Sequence, residues 1–233
     1  MRRNSSAFTR LELLAVIFGL FLLATFALPL LAATRRDSDR VACFNNLRQI
    51  GRAVELWAGD HEGEPPWRTY TSLGGTRPAS ISKPGNAWFE FTALSNELFT
   101  PRILACPADA GVKVASEFSS DGQRGYMSTG FRAAATSYFV RLDTAVGPDP
   151  TWFLAGDHNI RFFGVQNCVY GVTGADIYEP RNPASGWTNA VHGAQGNAVR
   201  TDGGVSETTS EQFRTVFFTG LGDDNSLHFL RAR

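Results

Sequence analysis

Residues able to move protons, bind metals or change redox state fall at a few separated places along this 233-residue chain. Asp157-His158 sets a carboxyl beside an imidazole, and His192 and Asp202 follow nearer the C-terminus. These residue types hold zinc or act as general acids and bases. Their spacing fits no common ligand pattern, and the chain has no G-x-S-x-G nucleophile elbow. Turn formers surround Asp157, His158 and His192, so a turn aspartate and hydrogen-bonded histidines are the expected roles. Catalysis is not expected. Gly222-Asp223-Asp224-Asn225-Ser226 gathers oxygen ligands of the kind calcium accepts. Calcium takes about six to eight oxygens, usually from a loop spaced differently from this one, so a solvated acidic turn is expected and no cofactor is assigned. Cys43, Cys106 and Cys168 are too few for a disulfide scaffold and form no C-x-x-C pair. In an oxidising compartment one bridge would leave one thiol over.

The remaining chemically able residue is Glu12, at the start of an uncharged run of 21 residues, Leu13 to Ala33. A carboxylate inside a bilayer costs about 2.5–3.5 kcal/mol even on lenient insertion scales, so it needs a partner charge. The run is long enough to span a membrane as a helix. It exceeds the roughly 7–15 apolar residues of a secretory signal, and Leu31-Ala32-Ala33-Thr34 is a poor small-residue cleavage site. Arg2, Arg3 and Arg10 on one side face Arg35, Arg36 and Arg40 on the other, so basic residues alone do not fix the topology.

Around Glu12, the segment Ala7-Phe8-Thr9-Arg10-Leu11-Glu12-Leu13-Leu14, behind the basic leader Met1-Arg2-Arg3-Asn4-Ser5-Ser6, resembles the processing site of type IV prepilins and type II secretion pseudopilins. The family most often has Gly in place of Ala7 and an aliphatic residue in place of Arg10; Pro29 stands where pilin-like helices often carry a proline. The resemblance implies cleavage by a prepilin peptidase between Ala7 and Phe8, and usually methylation of the new terminus. It also implies that the amine of Phe8 neutralises Glu12 of a neighbouring subunit. The implied partners are copies of the chain, other pilin-like subunits, the peptidase, the secretion or pilus assembly platform and the bacterial inner membrane. The N-terminus would be cytoplasmic and the head periplasmic, entering a filament after assembly. The 22 basic and 22 acidic residues balance, and losing Arg2 and Arg3 with the leader leaves a slightly acidic chain. No nucleic-acid ligand is expected.

The elements that must carry these residues begin with the helix. Beyond the span, Val41, Phe44, Leu47, Ile50, Val54 and Trp57 follow helical spacing, with Arg36, Asp39, Arg40, Arg48, Arg52 and Glu55 opposite. Gly59, Gly63 and Pro65-Pro66 end the pattern. A helix from Leu11 to Trp57 would be about 70 Å long. Within it, Cys43-Phe44-Asn45-Asn46-Leu47-Arg48-Gln49-Ile50 resembles a segment of bacterial pseudopilin-like proteins. Its paired asparagines either bond to a loop of the head or stay exposed.

The expected organisation is a leader over 1–7, a transmembrane and amphipathic helix over 8–63, and a β-rich head over 64–233. The fold class is α+β and pilin-like, the long helix packing on an antiparallel sheet. Trp88, Phe91, Leu94 and Leu98 predict a short helix. Strands are predicted over Ser137–Leu142, Trp152–Ala155, Arg161–Val165 and Cys168–Val172. Asp202-Gly203 predicts a hairpin between Asn197–Thr201 and Val205–Thr208, with a helix from Ser210 that turns Phe213, Val216 and Phe217 inward. Cys106-Pro107-Ala108-Asp109, and His192-Gly193-Ala194-Gln195-Gly196-Asn197 followed by Asp202-Gly203-Gly204-Val205, again resemble the head motifs of the pseudopilin-like group. The other function class open to the sequence is a membrane-tethered binding module that captures a ligand, glycan or cargo on exposed Trp67, Trp152 and Trp187.

Overall fold

A computed structural model describes residues 9–79, 83–144, 146–147, 152–161, 163–168, 172–178, 182–219 and 227–230. The chain divides into two units, Met1–Asp39 and Arg40–Arg233.

One helix, α1 (Arg10–Gly59), contributes to both units. In the first unit its stretch Arg10–Leu28 is long and apolar enough to cross a membrane, and side chains such as Leu11, Leu23 and Phe26 are exposed. A helix satisfies its own backbone groups, which is why an apolar surface of this kind can face lipid. In the second unit α1 buries Cys43, Leu47, Ile50 and Val54. These positions recur at intervals of four, three and four residues and form one face. Val41, expected on that face, is exposed, because it lies two residues and about 200° around the helix from Cys43. The helix stops at Gly59, where the chain turns through Gly63 at φ 81° and Trp57 stacks on His61.

The rest of the head is β1 (Lys83–Pro84), α2 (Ala87–Ala93), α3 (Ser95–Leu98), β2 (Tyr138–Arg141), β3 (Phe153–Asp157), β4 (Ile160–Arg161), β5 (Val165–Cys168), β6 (Val172–Tyr178), β7 (Gly186–Trp187), β8 (Gln195–Arg200), β9 (Val205–Thr209), α4 (Ser210–Thr219) and β10 (Leu227–Leu230). The main sheet runs β1-β6-β10-β2-β3-β8-β9, with β5 added beside β6. Its pairings are antiparallel except β1 with β6, which run parallel. β4 and β7 form a separate ribbon.

Alternation along the strands gives this sheet two apolar faces. Val140, Leu154, Ala155 and Val199 join Leu47, Ile50 and Val54 of α1 in the larger core, which also takes in Trp67, Phe91 and Tyr126. Phe139, Phe153, Ala198 and Phe229 point the other way and meet Trp187 of β7 and Phe213 of α4. Leu154 and Ala155 both join the first core, which is where the register between β3 and β8 shifts. Gly51 lets α1 approach β8: a Cβ there would lie 2.5 Å from Val199 Cγ2. Gly203, at φ 76°, closes the β8–β9 hairpin on Asp202 as the sequence leads one to expect.

The strand predicted over Arg161–Val165 is instead split between β4 and β5, and the strand beyond it begins at Val172 rather than Cys168. The single short helix predicted from Trp88 to Leu98 breaks at Leu94 into α2 and α3, with Asn86 capping the first through Trp88 N.

Candidate functional site

The polar residues that the sequence scatters converge under the larger core face of the sheet. Cys43 of α1 is disulfide-bonded to Cys106, across a sequence separation of 63 residues. One turn along α1, Asn46 donates to the carbonyl of Ala105 at 3.2 Å, so of the paired asparagines Asn46 ties the helix to the head while Asn45 is exposed. The turn Cys106-Pro107-Ala108-Asp109 closes with Asp109 N donating to Cys106 O at 3.0 Å, which carries the Asp109 carboxylate inward.

Asp109 Oδ2 accepts from Ser137 Oγ at 2.8 Å and lies 2.9 Å from His158 Nε2. Ser137 therefore gives its proton to the carboxylate and not to the imidazole, so these three residues do not have the order of a nucleophile activated by a base. Next to them, Asp157 Oδ2 accepts from Asn197 N at 2.7 Å and Asn197 Nδ2 at 3.0 Å, and His192 Nε2 stands 3.3 Å away. The same His192 nitrogen is 3.5 Å from Cys106 Sγ. Strand alternation explains the meeting: Asp157 ends β3 on the face of Ala155, and Asn197 precedes Val199 on the same face of β8.

His192 arrives on the loop between β7 and β8, which turns through Gly193 and Ala194 at positive φ. Asn159 holds that loop by donating to Thr188 O and Gln195 O, both at 2.9 Å. Arg40 donates to His192 O at 3.0 Å and pairs with Glu207 at 2.9 Å.

Burial governs the proton affinities here. It pushes Asp157 up to about 7 against the lowering effect of the Asn197 bonds, with the charges of Asp109 and Glu207 adding to the rise. It pushes His192 down to about 4, helped by the charge of Arg40 and of His158 and opposed by Asp109. The Tyr138 hydroxyl, also buried, is pushed well above its usual range, by burial first and by Asp157 second. A second buried polar group, Lys83 with Glu90 at 2.5 Å and Thr76 bonded to the same carboxylate, ties β1 to α2. Burial raises the proton affinity of Glu90 and Lys83 opposes that rise.

Asp157, His158 and His192 are thus brought together in one network, in which Asp157 ends a strand and is not a turn residue, while His158 is hydrogen-bonded as expected. The missed members are Asp109 and the Cys43–Cys106 pair. Asp202 stays in the hairpin turn, bonded to Gly204 N at 2.9 Å and near Arg200. Trp67 and Trp187 are core residues, 0% and 6% exposed, and Trp152 is half-buried beneath the Arg141 guanidinium. The aromatic contact surface expected of a binding module is therefore not formed by Trp67 and Trp187. The residues considered for calcium, 222–226, and the processing residues Ala7 and Phe8 lie outside the described residues.

Glu12 is described, and its surroundings add a role the motif did not suggest. Thr9 N and Thr9 Oγ1 both donate to Glu12 Oε2, at 2.8 and 2.9 Å, and Glu12 N donates back to Thr9 Oγ1 at 3.3 Å. This is a capping box, legible in the spacing Thr9-x-x-Glu12. It gives the carboxylate neutral donors at the helix N-terminus, where the positive end of the helix dipole favours an anion. Comparison with protein families, with characterised proteins and with solved structures gives no match to this chain.

Proposed function

We propose that the chain is a pilin-like assembly subunit, anchored by the first part of α1 and processed between Ala7 and Phe8, that joins a type II secretion pseudopilus or type IV pilus. The observation that carries this reading is one unbroken helix, Arg10–Gly59, with different surfaces along its length. It starts at a carboxylate held only by a capping bond among the described residues, continues as an apolar stretch able to span a membrane, and ends as core of an α+β head. A soluble domain has no use for the exposed Leu and Phe side chains of Arg10–Leu28, whereas a bilayer or a filament core would cover them. Glu12 is the residue that drives assembly. Its capping bonds are exposed and come from neutral donors, so a neighbouring subunit's terminal amine, a full positive charge, competes for it with advantage in a low-dielectric surrounding. The head's role is to present a rigid surface to neighbouring subunits and cargo.

The test is Glu12→Ala and Glu12→Gln in the native host. Both variants are expected to insert and to be cleaved but to be absent from sheared or cross-linked filaments. Glu12→Gln entering filaments at the wild-type level would contradict the assembly role.

A further inference from the structure

Cys43, Cys106 and His192 form the one group of potential metal ligands found among the described residues, with all three ligand atoms within 4.8 Å of one another and all three residues buried. We infer that the thiol state of this pair, together with His192 Nε2 and the Asp157 carboxylate, is a site for a single borderline or soft divalent metal ion of the zinc class. The ion and the disulfide are alternative occupants of the same place.

The geometry already matches one edge of a tetrahedral ion and sets the Asp157 carboxylate beside a second. Bonds of about 2.3 Å to sulfur and about 2.0–2.1 Å to nitrogen and oxygen set a sulfur-to-nitrogen edge of about 3.5 Å and a nitrogen-to-oxygen edge of about 3.3 Å. The observed separations are 3.5 Å from Cys106 Sγ to His192 Nε2 and 3.3 Å from His192 Nε2 to Asp157 Oδ2. The sulfur-to-sulfur edge opens when the covalent bond is cleaved, and the freed Cys43 thiol, within 4.8 Å of His192, closes on the ion. A disulfide that served only as a staple would need neither an imidazole nitrogen at its sulfur nor a carboxylate behind that nitrogen.

A second observation points the same way. Asp157 is 1% exposed, and while Oδ2 takes the Asn197 bonds, Oδ1 has no hydrogen-bond partner. A buried carboxylate oxygen without a donor is costly, and a metal ion bound through Oδ1, with Oδ2 keeping its Asn197 bonds, removes that cost. Asn197, donating to Oδ2 through its backbone and side chain, and Asn159, fixing the loop of His192, orient the ligands in the way supporting residues of metal sites do. Cys106 also lines a surface cleft of about 290 Å³ with Asn46, Arg102, Pro107, Val112 and Val114.

The redox step balances with a dithiol or a phosphine as reductant. Two electrons and two protons convert the Cys43–Cys106 bond to two thiols while the dithiol closes to its own disulfide, or the phosphine takes up oxygen from water. The incoming divalent ion then displaces the two thiol protons and accepts the lone pair of His192 Nε2, whose remaining proton sits on Nδ1. A newly made chain, not yet oxidised, presents the same ligands without needing a reductant.

The experiment uses the full chain in detergent, reduced with a phosphine under anaerobic conditions, freed of reductant and titrated with Co²⁺ and then Zn²⁺. The expected result is sulfur-to-cobalt charge-transfer absorption with tetrahedral ligand-field bands, saturating at one ion per chain and abolished by Zn²⁺. The oxidised chain should show none of these bands. His192→Ala and Asp157→Asn, which keep both thiols, should each weaken binding at least tenfold, and Cys168→Ser should leave it unchanged. Absence of the bands in the reduced chain would overturn the inference. So would equal affinity in His192→Ala, or a reduced chain that loses its circular-dichroism spectrum and does not recover it with Zn²⁺.

Discussion

Glu12 and Asp157 are carboxylates that the chain holds by opposite means. Among the described residues Glu12 bonds only to Thr9, three positions away and exposed. Asp157 sits where β3, β8 and the His192 loop come together, bonded twice to Asn197 and next to an imidazole. A carboxylate held locally can be given to another molecule without disturbing the rest of the fold. One held by residues distant in sequence cannot move unless those segments move with it. The first arrangement leaves the carboxylate available to a partner, and the second fixes the strands and the loop that hold it.

The largest effect should come from cutting the network where it joins α1. Replacing both Cys43 and Cys106 by Ser opens a loop of 63 residues in separation and should cost about 4 kcal/mol of head stability on the chain-entropy account, read as a shift in urea midpoint. An unchanged midpoint would show that the noncovalent bonds of Asn46, Asp109 and His192 suffice alone.

Next is a pair of identical substitutions in one helix. Gly51→Ala puts a Cβ into Val199 and should cost about 1–3 kcal/mol. Gly19→Ala, in the apolar stretch with nothing within 4 Å, should leave the head's urea midpoint unmoved. Equal effects would remove the contrast between the two parts of α1.

The pH dependence sharpens the comparison on the head side, in the oxidised, metal-free protein. Asp157 has a raised proton affinity when folded, so its contribution to stability falls as pH rises from about 4 toward about 7. His192 has a lowered one, so its contribution rises from about 4 to 6.5. The two oppose each other over the same window, with Asp109, His158, Arg40 and Glu207 as the charged neighbours. The two therefore offset each other in the wild type, where Glu90 adds a fall of its own, and the urea midpoints of the variants are read relative to it. They should climb with pH in Asp157→Asn and fall with pH in His192→Gln. Parallel slopes in the two variants would contradict the opposed pair.

The smallest effect belongs to Thr9→Ala, which removes the capping partner of Glu12 and should cost about 1 kcal/mol locally. Faster amide exchange in the first turn of α1 in micelles, with the head unaffected, is the expected signature.

Much of this comparison was legible in the sequence, and the reasons differ by region. The apolar span, the amphipathic continuation, the Asp202-Gly203 hairpin and the burial of Phe213 all follow from local periodicity and turn chemistry, which neighbouring residues determine. The capping box is equally local and is spelled by Thr9-x-x-Glu12, although the same glutamate also reads as a charge at the edge of the span. The head cluster was not legible as a cluster. Cys43, the Cys106–Asp109 turn, Asp157 and His192 lie far apart in the chain, and the disulfide, the pairing of β3 with β8 and the placement of the loop before β8 bring them together. For the same reason Trp67 and Trp187 gave no sign of their burial: an aromatic in a turn-rich segment reads alike whether it faces water or a second core.

Intact mass and N-terminal sequencing of the protein isolated from its native membrane decide whether it is the processed, anchored assembly subunit proposed above. The account expects a mature chain that begins at Phe8 and is heavier by one methyl group. A chain that still begins at Met1, or one that begins near Thr34 after the apolar stretch has been removed, would contradict it.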